Sequence, residues 1–458
     1  MRRTYILLIF LFIFPAVFSQ GLFESSLSGD SEETTKTSDI FSGYVRGSAF
    51  GFGKKYDYAN IFSELSLKTN ITESNLIIKS DLRFRGGIMF DEDFTRMEIK
   101  EAYAGYTSDK VDFYLGNQIV MWGRTDGFNP TNNINPSDFF FLTADNDDQI
   151  KSNFMLRLRY RINSQIDIDL IGIPLYMPSD YRYDLFDIGA GISVDEPDLP
   201  GKNSDNLSFA TRLNFEYPKI GFSLSYFSGY NTFYGIDIAG FTLDGLTPLI
   251  TCVGKPYYKQ SPGLDFAIPV SSWIIRGEMA YNHTENYKKN IHIPNPDLSY
   301  VLGIDRSFFK IQTILQYIGL YTFNFERLLE PDMPLLLNPI DLLSYEEFMK
   351  YLDYIEDMVV YEMTGFNRKA FYQQKETNHA IALTLARSFA YEIIDAELTA
   401  YYNITSEERL IRAKISWKAS DNLSISAGGF FMDGPENSVF DYSKKILNGV
   451  FMELRGSF

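Results

Sequence analysis

From Phe41 to the last residue, short segments of the chain carry apolar side chains at every second position. In "LSFATRLNFE" (207–216), Leu207, Phe209, Leu213 and Phe215 alternate with Ser208, Ala210, Arg212 and Asn214. In "QIDIDL" (165–170), Ile166, Ile168 and Leu170 alternate with Asp167 and Asp169. A period of two marks strands with one apolar and one polar face. Roughly eighteen such segments follow one another. Short turns such as "TSDK", "INS", "YPK" and "ASDN" join them at one end. At the other end lie longer connections at 123–151, 176–205, 230–261, 284–297, 324–376 and 433–445. Segregated loop lengths of this kind fit an antiparallel, up-and-down transmembrane barrel. The predicted class is all-β, with about eighteen strands; counts of about 14–16 also fit, because 219–270 and 298–323 alternate poorly. An even count brings both termini to the short-turn end.

Composition agrees. Aromatic residues make up 16% of the chain, yet hydrophobic residues only 45%. Beyond the first residues no apolar run reaches the roughly eighteen needed for a membrane-spanning helix. Aromatic side chains must therefore find an apolar surface by alternation. Trp122, Trp273 and Trp417 fall at predicted strand ends, as the aromatic girdles of a membrane barrel require. Arg2 and Arg3, the apolar run Tyr5–Val17 and the "VFS" at 17–19 read as a signal peptide over 1–19. Residues 20–40 then form a periplasmic N-terminal segment, and 41–458 the barrel. The formal charge of −17 argues against nucleic acid as a partner. With one Cys and three His, no disulfide and no His/Cys metal centre is expected. No cofactor is expected either. His283, His292 and His379 have no identifiable Ser partner at a matching rim, so the chain is not read as an enzyme.

If the apolar face meets lipid, the other face lines a lumen. The charged residues on that face are the candidates for a pore: Arg83, Arg85, Arg157, Arg159, Arg161, Asp167, Asp169, Arg412 and Lys414, with Arg276, Glu278 and Glu453 among the rest. In "MLRLRYRINSQIDIDL" (155–170), a turn near Ser164 sets Arg161 opposite Asp167 and Arg159 opposite Asp169. Such pairs either brace the wall or guide anions. Arg157 has no acidic partner in this register and is the expected free pore charge.

The last strand, "NGVFMELRGSF", carries Val450, Met452, Leu454 and Phe458 on one face. It resembles the C-terminal signature of Gram-negative outer-membrane barrels, although Gly456 stands where an aromatic is usual. The resemblance implies the cell outer membrane, with lipid and lipopolysaccharide around the barrel and the assembly machinery recognising Phe458. It fits a homotrimer and a monomer alike. The connection 123–151 is the third on the long side, and in position and length it is similar to the inward-folded third loop of general and substrate-specific porins. Its Trp122, Gly123, Asp126, Asn129 and Pro130, followed by Asn135, Pro136 and Asp138, resemble a W-G-x-x-D-x-x-N-P motif of an uncharacterised porin-like family; alginate-export-type barrels are also similar. Asn and Asp can cap their own backbone, so such a loop suits a lumen. The resemblance implies a constriction with Asp126 and Asp138 as selectivity residues. A plain external loop, or a calcium loop using Asp145, Asn146, Asp147 and Asp148, are the other readings. In 324–376, Ser344 and Glu347 form a capping box. Tyr345, Phe348, Met349, Leu352, Ile355 and Val359 then predict an amphipathic helix over 345–361, either a lid on the mouth or an apolar contact. The expected function is diffusion of small polar or charged solutes. A transporter of hydrophobic molecules and a surface adhesin are the alternatives.

Overall fold

The computed structural model describes residues 40–458 except 52, 54, 56–57, 183–184, 186–190, 202–205, 245–246 and 336–343. The expected signal peptide and all but the last residue of the 20–40 segment therefore lie outside the described residues.

In chain order the strands are β1 (Phe41–Gly51), β2 (Tyr58–Glu73), β3 (Leu76–Met89), β4 (Glu92–Thr107), β5 (Val111–Gln118), β6 (Asn153–Arg161), β7 (Ile166–Ile173), β8 (Ile192–Asp195), β9 (Ser208–Tyr217), β10 (Ile220–Tyr230), β11 (Gly235–Asp244), β12 (Thr247–Lys255), β13 (Tyr258–Val270), β14 (Trp273–Thr284), β15 (Asp297–Phe308), β16 (Ile311–Thr322), β17 (Thr377–Phe389), β18 (Ile394–Asn403), β19 (Arg409–Ser420), β20 (Leu423–Asp433) and β21 (Gly449–Ser457). Three of them, β8, β11 and β12, form a small separate sheet; the other 18 make one antiparallel sheet. It closes where β1 pairs with β21, Tyr44 opposite Ser457. Gly43 and Phe458 then exchange both backbone hydrogen bonds at 2.9 Å. The barrel therefore has the eighteen strands that the alternation predicts, and no free edge.

Its burial is inverted relative to a soluble core. On β2, Leu65 and Leu67 are exposed, whereas Glu64 and Ser66 between them are 1% and 0% exposed. On β21, Val450, Met452 and Leu454 point outward beside buried Phe451 and Glu453. The outer face is an apolar belt and the polar face is inside, the arrangement of a transmembrane barrel.

The aromatic rim differs from expectation. Trp273 and Trp417 do stand near the short-turn end, Trp273 under the Arg306 guanidinium at 4.7 Å. Trp122 does not belong to the outer belt. It follows β5 and is buried with Val120, Ile134, Met155, Ile171 and Phe227 on the inner side of the wall.

The long connections carry structure of their own. Helix α1 (Tyr345–Ala370) begins at the predicted capping box, with the Ser344 hydroxyl and the Glu347 side chain bonded reciprocally. It runs beyond 361, to Ala370, and its buried face is Tyr351, Ile355, Val359, Met363, Phe366 and Ala370. Tyr345 and Met349, expected on that face, are exposed. The apolar period was right, but the first turns stand clear of the cluster that the later turns enter. That cluster joins α1 to Ile236, Ile250 and Cys252 of the small sheet and to Val439, Phe440 and Ile446 of α2 (Val439–Leu447). Asn367 ties the helix to the sheet. Its side chain accepts from Ile236 N (2.9 Å) and donates to Ile236 O (2.8 Å) and Ile291 O (2.9 Å). It so satisfies an edge of β11 that would otherwise be unpaired.

The inverted burial has a direct test. Leu65→Arg places a charge in the apolar belt and should cost about 2–4 kcal/mol of folding stability in a bilayer, with less cost nearer the rims. Urea titration in lipid vesicles reads this; a neutral result would mean that this face does not meet lipid.

Candidate functional site: the connection between β5 and β6 and the charged wall

The connection runs from 119 to 152, starting earlier than predicted because β5 stops at Gln118. The residue that stops it is Asn135, from the Asn135-Pro136 pair of the connection. Its Oδ1 accepts from Val120 N (2.7 Å), and its Nδ2 donates to Gln118 O (3.0 Å) and Lys151 O (2.9 Å). One amide thus replaces the strand pairing on both sides of the loop base. Asn153 adds a bond to Ile134 O at 3.1 Å. Gly123 is required twice over: its φ is +114°, and a Cβ would fall 2.5 Å from a Glu278 carboxylate oxygen.

Residues 124–133 bond to one side of the barrel. Glu278 of β14, 2% exposed, accepts from Thr131 N and Oγ1 (both 2.8 Å), Thr125 Oγ1 (2.9 Å) and Arg124 N (3.2 Å). The Arg124 guanidinium reaches Asp265 of β13 (2.7 Å) and Glu216 of β9. Arg276 of β14 donates to Arg124 O at 2.9 Å and lies 3.7 Å from Asp126. Lys259 of β13 donates to Asn133 Oδ1 at 2.7 Å.

Residues 142–148 bond elsewhere. Asp148 accepts from Arg46 of β1 (2.6 Å), Arg83 of β3 (2.7 Å) and Thr143 (2.8 Å). Burial alone would raise its carboxyl; the facing Arg46 and Arg83 guanidiniums hold it well below the usual carboxylate range. Arg46 in turn meets Glu64 (2.8 Å) and Glu453 (3.3 Å), and Arg85 meets Glu64 and Glu98. Lys100 of β4 donates to Asp147 O (2.6 Å), Asn60 of β2 to Leu142 O (2.9 Å), and Arg412 of β19 to Ala144 O (2.6 Å). Omitting the small sheet, β2 and β14 are the second and eleventh strands of the ring of 18, and 11 − 2 leaves them nine apart. The same connection is therefore bonded to opposite walls.

The candidate residues divide by partner. The backbone register is as expected, Arg159 opposite Asp169 and Arg161 opposite Asp167. The ion pairs run along the diagonal instead: Arg157 to Asp169 (2.7 Å), Arg159 to Asp167 (3.0 Å) and Arg161 to Asp112 of β5 (2.9 Å). Arg157 is thus no free charge. An arginine side chain is long enough to reach the j±2 neighbour, which a directly-opposite rule ignores. Arg83 is held by Asp81 and Asp148, and Arg85 is 2% exposed. Asp138 is buried; it accepts from Phe140 N (3.1 Å) and Phe141 N (3.0 Å) and lies 3.6 Å from Arg96. Burial first, and Asp180 second, raise its carboxyl above the ordinary value. Arg412 is 3.9 Å from Glu397. Lys414, on the same face of β19, is only partly buried and has no ion pair among the described residues. Of the four residues weighed for calcium, Asp145 caps the turn Asn146–Gln149 and Asp148 is taken by arginines.

Arg46 and Glu64 escaped the sequence reading. The Gly- and Ser-rich β1 hides its alternation, whereas Leu65 and Leu67 flanking Ser66 could have placed Glu64 inside. Asn135 was noted as turn chemistry without its bonds.

Two of the cavities among the described residues lie beside the middle of the connection. The first is lined by Asn129, Asn135, Asp145, Gln149 and Arg412, with Phe139 and Phe233. The second lies between Phe128 and Pro130, strands β13–β18, and Phe371 after α1.

No known family and no curated protein matches the sequence. Solved structures do resemble the fold. The outer membrane protein opdK from Pseudomonas aeruginosa matches with a TM-score of 0.51 at 7% identity, over 91% of this chain and 97% of that one. OccAB3 of Acinetobacter baumannii matches with a TM-score of 0.50 at 10% identity, over 91% and 98%. At such identities the likeness is one of fold, a closed antiparallel β-barrel.

Proposed function

We propose that this chain is an outer-membrane channel of porin type, passing small polar or charged solutes by diffusion, with residues 119–152 as its constriction. The observation that carries the reading is a barrel walled inside by charges and bridged by one connection bonded to both walls. An 18-stranded barrel is too wide for its own side chains to fill, so charged residues on its inner face imply water. Irregular backbone at membrane depth is tolerated when it lies in protein or beside water. The loop meets that condition, since its polar groups bond to Glu278, Arg46, Lys100 and Arg412. Solutes would pass along the loop's flank, where the first cavity is lined by the amides of Asn129 and Gln149 and by the charge of Arg412. Selection would then come from width and fixed charge. The lid of α1, α2 and the small sheet would narrow the approach. Lipid and lipopolysaccharide would surround the belt, and Phe458, 62% exposed, would serve barrel assembly.

Purified protein in planar bilayers should give stepwise conductance; a silent membrane at every voltage would end the channel reading. Asp148→Asn removes the shared partner of Arg46 and Arg83. Arg46 keeps Glu64 and Glu453 and Arg83 keeps Asp81, so the cost should fall below the roughly 3–5 kcal/mol of a fully stranded buried charge. The expected outcome is a lower melting temperature and a larger, noisier conductance, because on that wall the loop then rests on its bonds from Lys100, Asn60 and Arg412. Unchanged single-channel current would show that this contact does not fix the aperture.

Charge neutralisation separates guiding from bracing residues. Lys414→Gln should move the reversal potential toward cation preference in a salt gradient. Arg157→Gln should move it less and instead lower thermal stability, since it strands Asp169. The opposite ranking would make the Arg157 ladder the selectivity element.

A further inference from the structure

The second cavity lies between the loop, the wall and the lid. We propose that it binds a neutral polyhydroxylated solute, a sugar or polyol, on its way through; this deepens the diffusion-channel reading and rests on it. The argument starts from charge. One cation, Lys259, and one carboxylate, Asp297, line the cavity, so their formal charges cancel. Both are nearly buried, and both are fixed. Lys259 donates to Asn133 Oδ1 at 2.7 Å. Asp297 accepts from Asn282 Nδ2 and Ser299 Oγ, both at 2.8 Å, and from Gln373 Nε2 at 3.5 Å. A free anion would meet Asp297 and a free cation would meet Lys259, so neither sign is favoured.

The remaining polar groups suit hydroxyls. Tyr257 accepts from Asn231 Nδ2 at 2.6 Å, and Tyr401 from Asn403 Nδ2 at 3.3 Å. Each phenol keeps its own proton to donate. Asn378 uses its Oδ1 to accept from Asn403 at 2.9 Å, which leaves its amide donors uncommitted among the described residues. A hydroxyl both donates and accepts, so vicinal hydroxyls can give to Asp297 and take from Tyr257, Tyr401 and Asn378. An ion can use only one half of that set. Phe128 and Phe371 add apolar surface for the C–H face of a ring. Phe371 is itself held edge-on by Tyr257, ring centroids 5.7 Å apart.

The test uses D-glucose, acetate and methylammonium on the full-length protein, by calorimetry in detergent and by current block in bilayers. Glucose should bind saturably, more tightly than either ion. Asp297→Asn should weaken it about tenfold, the size expected for losing a hydrogen bond to a charged group. Tyr401→Phe, which keeps the ring and removes one donor, should weaken it about threefold. Absence of glucose binding, tighter binding of acetate or methylammonium, or indifference to both substitutions would overturn the inference. The two readings fail separately. Conductance without glucose binding removes the site and leaves the channel, whereas glucose heat without conductance removes the channel.

Discussion

A sheet of 18 strands closes around more space than its inward side chains can occupy. The rest of the molecule is organised around that excess. Apolar clusters cover only part of the inner face; the rest carries charges, and those that are buried need partners. The Arg46–Asp148–Arg83 contact meets that need. It gives two wall guanidiniums a shared carboxylate, and the carboxylate comes from a loop, so neutralising the wall also fixes the loop.

Glu278 works the other way round on the opposite wall. There the wall supplies the anion and the loop supplies donors from Thr125, Thr131 and the backbone. The two anchors are complementary in sign, so the loop cannot exchange one end for the other. Its register across the barrel is therefore set electrostatically as well as by chain length. The Asn135 amide completes the fixation at the base by replacing strand pairing on both flanks.

The barrel was almost wholly legible in the sequence, because a lipid-facing strand must alternate and each of the 18 barrel strands falls on a segment picked out by period two. The same periodicity placed Arg157, Arg159, Asp167 and Asp169 in the right register. It could not say which arginine meets which aspartate, since a guanidinium reaches beyond its directly opposed neighbour. Trp122 was misplaced for a related reason. A tryptophan at the end of a strand reads as an interface residue, but β5 ends four residues sooner (122 − 118), and the strand's inside–outside rule no longer applies beyond it. Arg46 and Glu64 show a further limit: they face each other across neighbouring strands, but the Gly- and Ser-rich β1 hides the alternation that would place Arg46 inside, and the contact of Arg46 with Asp148 of the loop leaves no periodic trace.

The lid poses a separate physical problem. Its apolar cluster, built from α1, α2 and the small sheet, is what a soluble domain would bury, yet it sits at the mouth of a barrel with a polar interior. The cluster is continuous with Phe139, Phe140 and Leu142 of the loop. The loop therefore has two unlike faces: Asp148, Thr131 and Thr125 bond to the walls, while the Phe139–Leu142 stretch packs beneath the lid. A displacement of the loop would expose apolar surface and strand wall charges together. Those two costs are independent in origin and add, which is why a long, irregular connection can hold one position against two walls.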